Sequence, residues 1–132
     1  MTVGLLLITH NDIGAHLLAT AREIMGGAIK TPVDCMAIRS QCEPSLELQQ
    51  ATRQIALLDS GQGVLILTDL YGATPSNIAN RLACHSGIRV VAGLNLPMLV
   101  RVLNYADLGL DELTEKAVSG GQASVFTCTN KP

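Results

Sequence analysis

The stretch VGLLLITHND, residues 3–12, decides the fold. Its apolar run over residues 3–9 is short and almost uninterrupted, which at this length predicts a strand buried on both faces. Strands of that kind belong to parallel sheets that are covered by helices. The run ends at His10, where a buried strand gives way to a loop. The role of a histidine at that position depends on which other residues lie at the same edge of the sheet.

The remaining segments alternate between strand and helix patterns. Further strands are predicted at residues 33–38, 64–68 and 89–92. Three helices are predicted where apolar residues recur at helical spacing. The first has a buried stripe of Ile13, Leu17, Leu18, Ala21, Ile24 and Met25, the second begins at Pro44, and the third follows Thr74. We interpret Thr74 as an N-cap preceding Pro75. Short helices are predicted at residues 95–103 and 110–118. The alternation predicts an α/β fold: an open, doubly wound, mostly parallel sheet of order 2-1-3-4 with helices on both faces. An antiparallel edge strand at residues 124–127 is left open.

Composition limits the classes of function. The 132 residues predict one domain over residues 1–128, followed by a C-terminal tail at residues 129–132. A net charge of -2 without Lys/Arg clusters argues against nucleic acid as a partner, and the scarcity of aromatic residues removes a stacking platform for bases. No leader and no membrane-length apolar stretch is recognised, so we expect a cytoplasmic protein without membrane insertion. No metal or cofactor is expected.

The four cysteines form no CxxC pair, and none lies at ligand spacing from a histidine. We interpret Cys35, Cys42, Cys84 and Cys128 as reduced core thiols.

His10 and Asp69 follow the first and third predicted strands. In doubly wound sheets, ligands bind beyond the carboxyl ends of the strands, where the strand order reverses. An order of 2-1-3-4 makes these two strands neighbours. An aspartate that accepts the hydrogen of one imidazole nitrogen leaves the other nitrogen unprotonated, as a nucleophile requires. A loop histidine and a turn-capping aspartate are the alternatives, and His16 and His85 are assigned surface or capping roles.

The segment GATPSN, residues 72–77, opens the helix after Asp69. The first backbone N–H groups of a helix lack internal partners, and together with nearby hydroxyls they suit an anion such as phosphate. The candidate phosphoryl-binding residues are Gly72, Ala73, Thr74 and Ser76.

Three stretches, THND, LTDLYGATPSN and GLNLPMLV, together resemble the IIA component of the mannose-type (mannose/fructose/sorbose) sugar phosphotransferase system. The similarity runs from Met1 to about Val118. It implies a phosphotransferase component in which His10 accepts a phosphoryl group from the phosphocarrier protein HPr and passes it to a IIB protein or domain. Asp69 matches the orienting carboxylate, and residues 72–77 match the loop at the phosphoryl site. The resemblance also implies a homodimer, with residues 93–99 at the rim of the site or in the dimer contact.

This chain departs from the family pattern at several positions. Asn11 and Asp12 stand where the family commonly has glycine after its histidine. The extra carboxylate of Asp12 either repels the incoming phosphoryl group or caps the first helix, and we favour the cap. Arg101 stands where an acidic residue is frequent, which alters the partner-facing surface. Thr74 replaces a frequent serine and keeps the hydroxyl.

Two other classes of protein remain as alternatives. A receiver-like domain shares the sheet and phosphorylates an aspartate, but it needs an acidic pair after the first strand to bind Mg²⁺, where this chain has Thr9 and His10. A flavodoxin-like binding module needs aromatic residues to stack on flavin. The sequence leaves open the sugar, the identity of the IIB acceptor and a transport or regulatory role. It also leaves open whether the apolar residues at 94–102 form a dimer contact or a buried helix face.

Overall fold

The computed structural model describes residues 1–27 and 29–129. The strands are β1 (Gly4–His10), β2 (Val33–Ile38), β3 (Val64–Thr68) and β4 (Ile88–Ala92). They form one parallel sheet of order β2-β1-β3-β4. The helices are α1 (Ile13–Ile24), α2 (Pro44–Leu58), α3 (Thr74–Leu82), α4 (Leu96–Asn104) and α5 (Leu110–Ala123). The predicted strand order and doubly wound architecture are confirmed.

Strand β1 is the centre of the molecule because both of its faces are covered. Leu5 and Leu7 pack in the core beneath α1, α4 and α5, whereas Leu6 and Ile8 pack in the core beneath α2 and α3. All four side chains are fully buried. Since successive residues of a strand point to opposite faces, a strand between two apolar layers needs an unbroken apolar run.

The apolar segment that follows β4 belongs to the same core. Leu94, Met98, Leu99 and Val102 are buried beneath the α1 side of the sheet, and Leu96 packs against them. Asn95 starts helix α4 by accepting a hydrogen bond from the Met98 amide at 2.9 Å. Within this chain, these residues form a buried helix face.

The predicted buried stripe of α1 is partly wrong. Ile13 and Ile24 are exposed, and the buried positions are Gly14, Leu18 and Ala21. The reason is a close approach at Gly14, where a Cβ would lie 3.2 Å from both Leu7 Cβ and Thr9 Oγ1. The contact brings this side of α1 against the sheet and turns the two isoleucines outward.

The chain after α4 also differs from the prediction. Helix α5 continues past the predicted end, because Gly120 and Gly121 pack against α4: a Cβ at either would lie 2.8 Å from the side chain of Arg101 or Met98. Within the described part of the chain, residues 124–129 add no strand to the sheet, so the optional edge strand is absent. Of the predicted tail, residues 130–132 lie outside the described residues.

The cysteine prediction is only partly right. All four thiols are free, but Cys84 and Cys128 are exposed and Cys35 and Cys42 are half-buried. Burial, aided by the negative charge of Asp34, raises the pKa of Cys35 to about 11. The exposed histidines His16 and His85 are at the surface, as predicted.

Gly4 marks the closest contact between the sheet and α2. A Cβ at this position would lie 2.6 Å from the backbone oxygen of Leu58 and 2.9 Å from its Cβ. We expect Gly4→Ala to lower the free energy of unfolding by about 1–3 kcal/mol, because overpacking against backbone cannot be relieved by a rotamer change. Urea unfolding measures this. Gly87→Ala is the control, since its Cβ would meet only Gly63 Cα at 3.9 Å; equal losses in the two variants would contradict the steric explanation.

Candidate functional site

His10 and Asp69 are in contact at the carboxyl ends of β1 and β3. Although 59 positions separate them, His10 Nδ1 lies 2.9 Å from Asp69 Oδ2, and the backbone N–H of His10 donates to the same oxygen at 3.1 Å. The parallel register pairs Ile8 with Thr68, so the residues that follow leave the sheet side by side. One carboxylate oxygen therefore holds both the ring and the backbone of His10.

This geometry determines the tautomer of the imidazole. An ionised carboxylate only accepts hydrogen bonds, so Nδ1 carries the proton and Nε2 of the neutral ring has a free lone pair. The side chain of His10 is 40% exposed, whereas that of Asp69 is 12% exposed. The carboxylate thus supports the ring from behind, while the ring itself is open to an incoming group.

The second oxygen of Asp69 has an unusual environment. Asp69 Oδ1 is buried and has no hydrogen-bond partner among the described residues. A buried carboxylate that is only half satisfied is costly, and a positive charge on the adjacent ring reduces that cost. Asp69 is therefore satisfied at Oδ2 alone, by the ring and the backbone of His10.

The turn after His10 closes without glycine. Asn11 adopts a left-handed conformation with φ of 47°, which asparagine tolerates better than most residues. Thr9 Oγ1 accepts the Gly14 N–H at 2.9 Å and so satisfies the first turn of α1. Asp12 precedes α1 but makes no side-chain cap; its Oδ1 instead accepts from Arg39 Nη2 at 3.0 Å. The predicted capping role of Asp12 is wrong, since the buried hydroxyl of Thr9 already occupies that N–H.

A buried hydroxyl shapes the loop before α3. Ser76 Oγ donates to the carbonyl of Ala73 at 3.0 Å and accepts the N–H of Gly72 at 2.8 Å, and the residue is completely buried. Gly72 has a φ of 85°, which glycine adopts without strain. Ala73 is the N-cap and Thr74 the first helical residue, so the N-cap prediction for Thr74 is wrong. Ser76 instead makes the link between the loop and the helix start.

An open cleft of about 290 Å³ lies in front of the histidine. It is lined by His10, Asn11, Ile38, Arg39, Ser40, Cys42 and Thr74. Of the candidate site residues, His10 and Thr74 face this cleft, whereas Asp69 and Ser76 support it from behind. Gly72 and Ala73 belong to the loop and do not line it. The amide of Asn77 bonds the Ala73 carbonyl at 2.9 Å and is therefore already occupied.

Sequence reasoning missed Arg39 and Cys42. The register pairs His10 with Ile38, so the residue after Ile38 stands beside the turn that follows His10. The predicted strand order could have identified Arg39, because the residue that follows a strand next to β1 lies at the same edge of the sheet as His10. Among the described residues, no group of three or more His, Cys, Asp or Glu side chains could hold a metal ion. No helix in that part of the chain is long and apolar enough to cross a membrane.

Comparisons with known proteins show a likeness along the whole chain. A family model, EIIA-man, described as the fructose IIA component of the phosphotransferase system (PTS), matches residues 4–118. The mannose-specific EIIAB component of the PTS from Escherichia coli K12 is 33% identical over 135 residues, which cover 100% of this chain and 41% of that protein. The chain thus spans less than half the length of this curated relative.

Solved structures extend the likeness to the whole fold. The mannose/sorbose-specific IIA subunit of the phosphotransferase system from Enterococcus faecalis superposes with a TM-score of 0.86 at 26% identity, covering 100% of this chain and 98% of that one. The PTS IIA protein associated with the fucose utilization operon of Streptococcus pneumoniae gives 0.83 at 27% identity, with coverages of 96% and 93%. The similarity in three dimensions therefore includes every element that builds the cleft.

The buried hydroxyl of Ser76 yields a stability prediction. Ser76→Ala leaves the Gly72 N–H without its partner and removes one of the two hydrogen bonds that the Ala73 carbonyl accepts, so we expect a loss of about 1–2 kcal/mol in the free energy of unfolding. Thermal or urea unfolding measures it. Thr74→Val is the control, because the Thr74 side chain is exposed and makes no hydrogen bond among the described residues. A Ser76 variant as stable as the Thr74 variant would contradict the supporting role.

Proposed function

The chain belongs to the EIIA-man family of PTS IIA components, and from that premise we propose that it is a phosphohistidine carrier. His10 accepts a phosphoryl group from phospho-HPr and passes it to a IIB protein or domain. Family membership makes the protein a component of a sugar phosphotransferase system. The histidine, its partners and the chemistry at the site are the content of the proposal.

One observation carries the assignment of His10. Its Nδ1 is bonded to Asp69 Oδ2 at 2.9 Å, while the ring lines an open cleft. That combination provides a nucleophilic nitrogen that is oriented, unprotonated and accessible. His16 and His85 are exposed, but neither ring has a carboxylate partner among the described residues.

The transfer is an in-line displacement at phosphorus. The lone pair of His10 Nε2 forms the new N–P bond, and the bond between phosphorus and the donor atom breaks, so the donor atom leaves with its electron pair. The ring keeps its proton on Nδ1 and becomes positively charged, and Asp69 stabilises that charge. Transfer to the acceptor reverses these steps and restores the neutral ring. Positioning supplies most of the rate, since no proton has to move during the transfer.

The groups around the cleft have different roles in the proposal. The Thr74 hydroxyl faces the cleft, and together with the first amides of α3 it contacts the phosphoryl oxygens. Gly72, Ala73 and Ser76 act indirectly, because they set the course of the loop that presents Thr74.

We also propose the domain, the compartment, the oligomeric state and the acceptor of this reaction. Residues 1–128 form the carrier domain, which works in the cytoplasm as a homodimer, as the family resemblance implies. The IIB acceptor is the partner suggested by the name of the E. coli EIIAB relative, whose chain extends well beyond the aligned part. A role in sugar transport and a role in regulation use the same carrier chemistry.

The site favours this function over the two alternatives. In a receiver-like domain the acceptor would be Asp69, but that carboxylate is largely buried and its Oδ2 is bonded to His10. A flavodoxin-like module would stack an isoalloxazine ring, yet no phenylalanine, tyrosine or tryptophan is among the residues that line the 290 Å³ cleft.

His10→Ala tests the identity of the phosphoryl acceptor. With enzyme I, HPr and phosphoenolpyruvate, we expect the unsubstituted protein to incorporate one phosphoryl group that is labile in acid and stable in base, and the variant to incorporate none. Intact-mass spectrometry and ³²P labelling measure this. His16→Ala and His85→Ala are matched controls that keep full loading. Stoichiometric loading of His10→Ala, or an acid-stable and base-labile product, would refute the assignment.

Asp69→Asn tests the orienting carboxylate. The variant keeps the size of the side chain but loses the charge that stabilises the phosphorylated ring, so we expect transfer from phospho-HPr to be slowed by about 100-fold or more. Rapid-quench kinetics measures the rate, and circular dichroism checks that the fold is intact. Unchanged kinetics would remove Asp69 from the mechanism.

A further inference from the structure

We propose that Arg39 is a phosphoryl-binding residue that exchanges its partner: it pairs with Asp12 in the free protein and with the phosphoryl group once His10 is phosphorylated. The inference rests on the proposed function of His10 and adds to it a residue that belongs to neither of the family motifs at the site. It also gives a role to Asp12, which the observed helix cap leaves without one.

The strand register places Arg39 at the histidine. Ile38 is the register partner of His10, and the Asn11 N–H donates to the Ile38 carbonyl at 3.0 Å, so Arg39 leaves β2 beside the turn after the histidine. Arg39 and His10 line the same cleft. No other lysine or arginine is among the residues that line it. Among the residues that line this cleft, Arg39 is therefore the cation available to an anion.

The ion pair between Arg39 and Asp12 is weak. Arg39 Nη2 and Asp12 Oδ1 are 3.0 Å apart, but their side chains are 55% and 52% exposed. Exposed pairs of this kind contribute little to stability, because water and salt screen them. A phosphoryl group carries about two negative charges and accepts two parallel N–H···O hydrogen bonds from a guanidinium, so it is a stronger partner than Asp12. Asp12 remains at the N-terminal end of α1, where the helix dipole favours a carboxylate after Arg39 has moved.

Charge balance gives the exchange a function. Phosphorylation adds negative charge at a site already flanked by Asp69 behind the ring and by Asp12 on the following turn. Without a cation, these carboxylates would disfavour the phosphorylated state. Pairing with Arg39 offsets the repulsion and leaves Asp69 free to stabilise the charged ring. Before phosphorylation, the pair with Asp12 thus keeps the Arg39 guanidinium beside the cleft.

Arg39→Gln tests the proposal, with Arg89→Gln as the matched control. Arg89 forms a comparable exposed pair with Asp111 at 3.1 Å, but it lies near the amino end of β4, away from the cleft. We expect Arg39→Gln to lower the equilibrium constant for phosphorylation by phospho-HPr by about 3- to 10-fold. We expect Arg89→Gln to leave it unchanged. Arg39→Lys should be intermediate, since it keeps the charge but loses the planar fork.

A second measurement separates phosphoryl binding from partner docking. Phosphoramidate, a small phosphoryl donor, loads histidine without HPr, and ³¹P NMR then follows the ionisation of the phosphoryl group on His10. In Arg39→Gln we expect the pKa of that group to rise by about one unit, because the cation that favours the dianion is gone. If only the HPr reaction is slowed and this pKa is unchanged, Arg39 is a docking residue and the proposal is wrong.

Asp12→Asn completes the test. Removing the competing carboxylate should raise the equilibrium constant for phosphorylation, because Arg39 is released and a negative charge is lost. A decrease equal to that of Arg39→Gln would mean that the intact pair is needed for structure, which overturns the exchange. Normal loading of Arg39→Gln overturns this inference alone. Failure of the unsubstituted protein to be loaded at His10 overturns the proposed function and the inference with it.

Discussion

The bond between His10 and Asp69 is the interaction on which the site depends. Asp69 Oδ2 accepts from both the backbone and the ring of His10, at 3.1 and 2.9 Å, and so ties the end of β1 to the end of β3. A ring held in this way has one tautomer and one exposed nitrogen. The second oxygen of Asp69 is buried and has no hydrogen-bond partner among the described residues. A single carboxylate thus orients the ring, and in the proposed transfer it also stabilises the charge that phosphorylation leaves on the ring.

The loops on either side depend on buried hydroxyls rather than on exposed ones. Thr9 satisfies the first turn of α1, and Ser76 links the loop at Gly72 to the start of α3. Both side chains are almost completely buried, so their hydrogen bonds are protected from competition by water. The exposed polar groups, Thr74 and Arg39, line the cleft. The molecule therefore separates the residues that shape the cleft from those that face it.

The differences from the sequence prediction have a common physical origin. Periodicity placed Ile13 and Ile24 in the buried stripe of α1 and ended the last helix at residue 118. Gly14, Gly120 and Gly121 decide otherwise, because each lies where two elements approach too closely for a Cβ. The same limitation applies to Asp12 and Thr74: Thr9 accepts the Gly14 N–H in place of Asp12, and Thr74 is the first residue of α3 rather than its N-cap. Local patterns identify which residues are able to cap or end a helix, but competition between neighbours decides which of them does so.

The sequence by itself determined the strands, their order and the meeting of His10 with Asp69, because apolar periodicity and the crossover rule leave few ways to arrange a short α/β chain. It also indicated the loop at residues 72–77. Only the tertiary structure decided that Ser76 supports this loop while Thr74 faces the cleft, and that Arg39 stands beside the histidine in contact with Asp12. The positions of these side chains depend on side-chain direction and strand register, and no single segment of the chain specifies either of them.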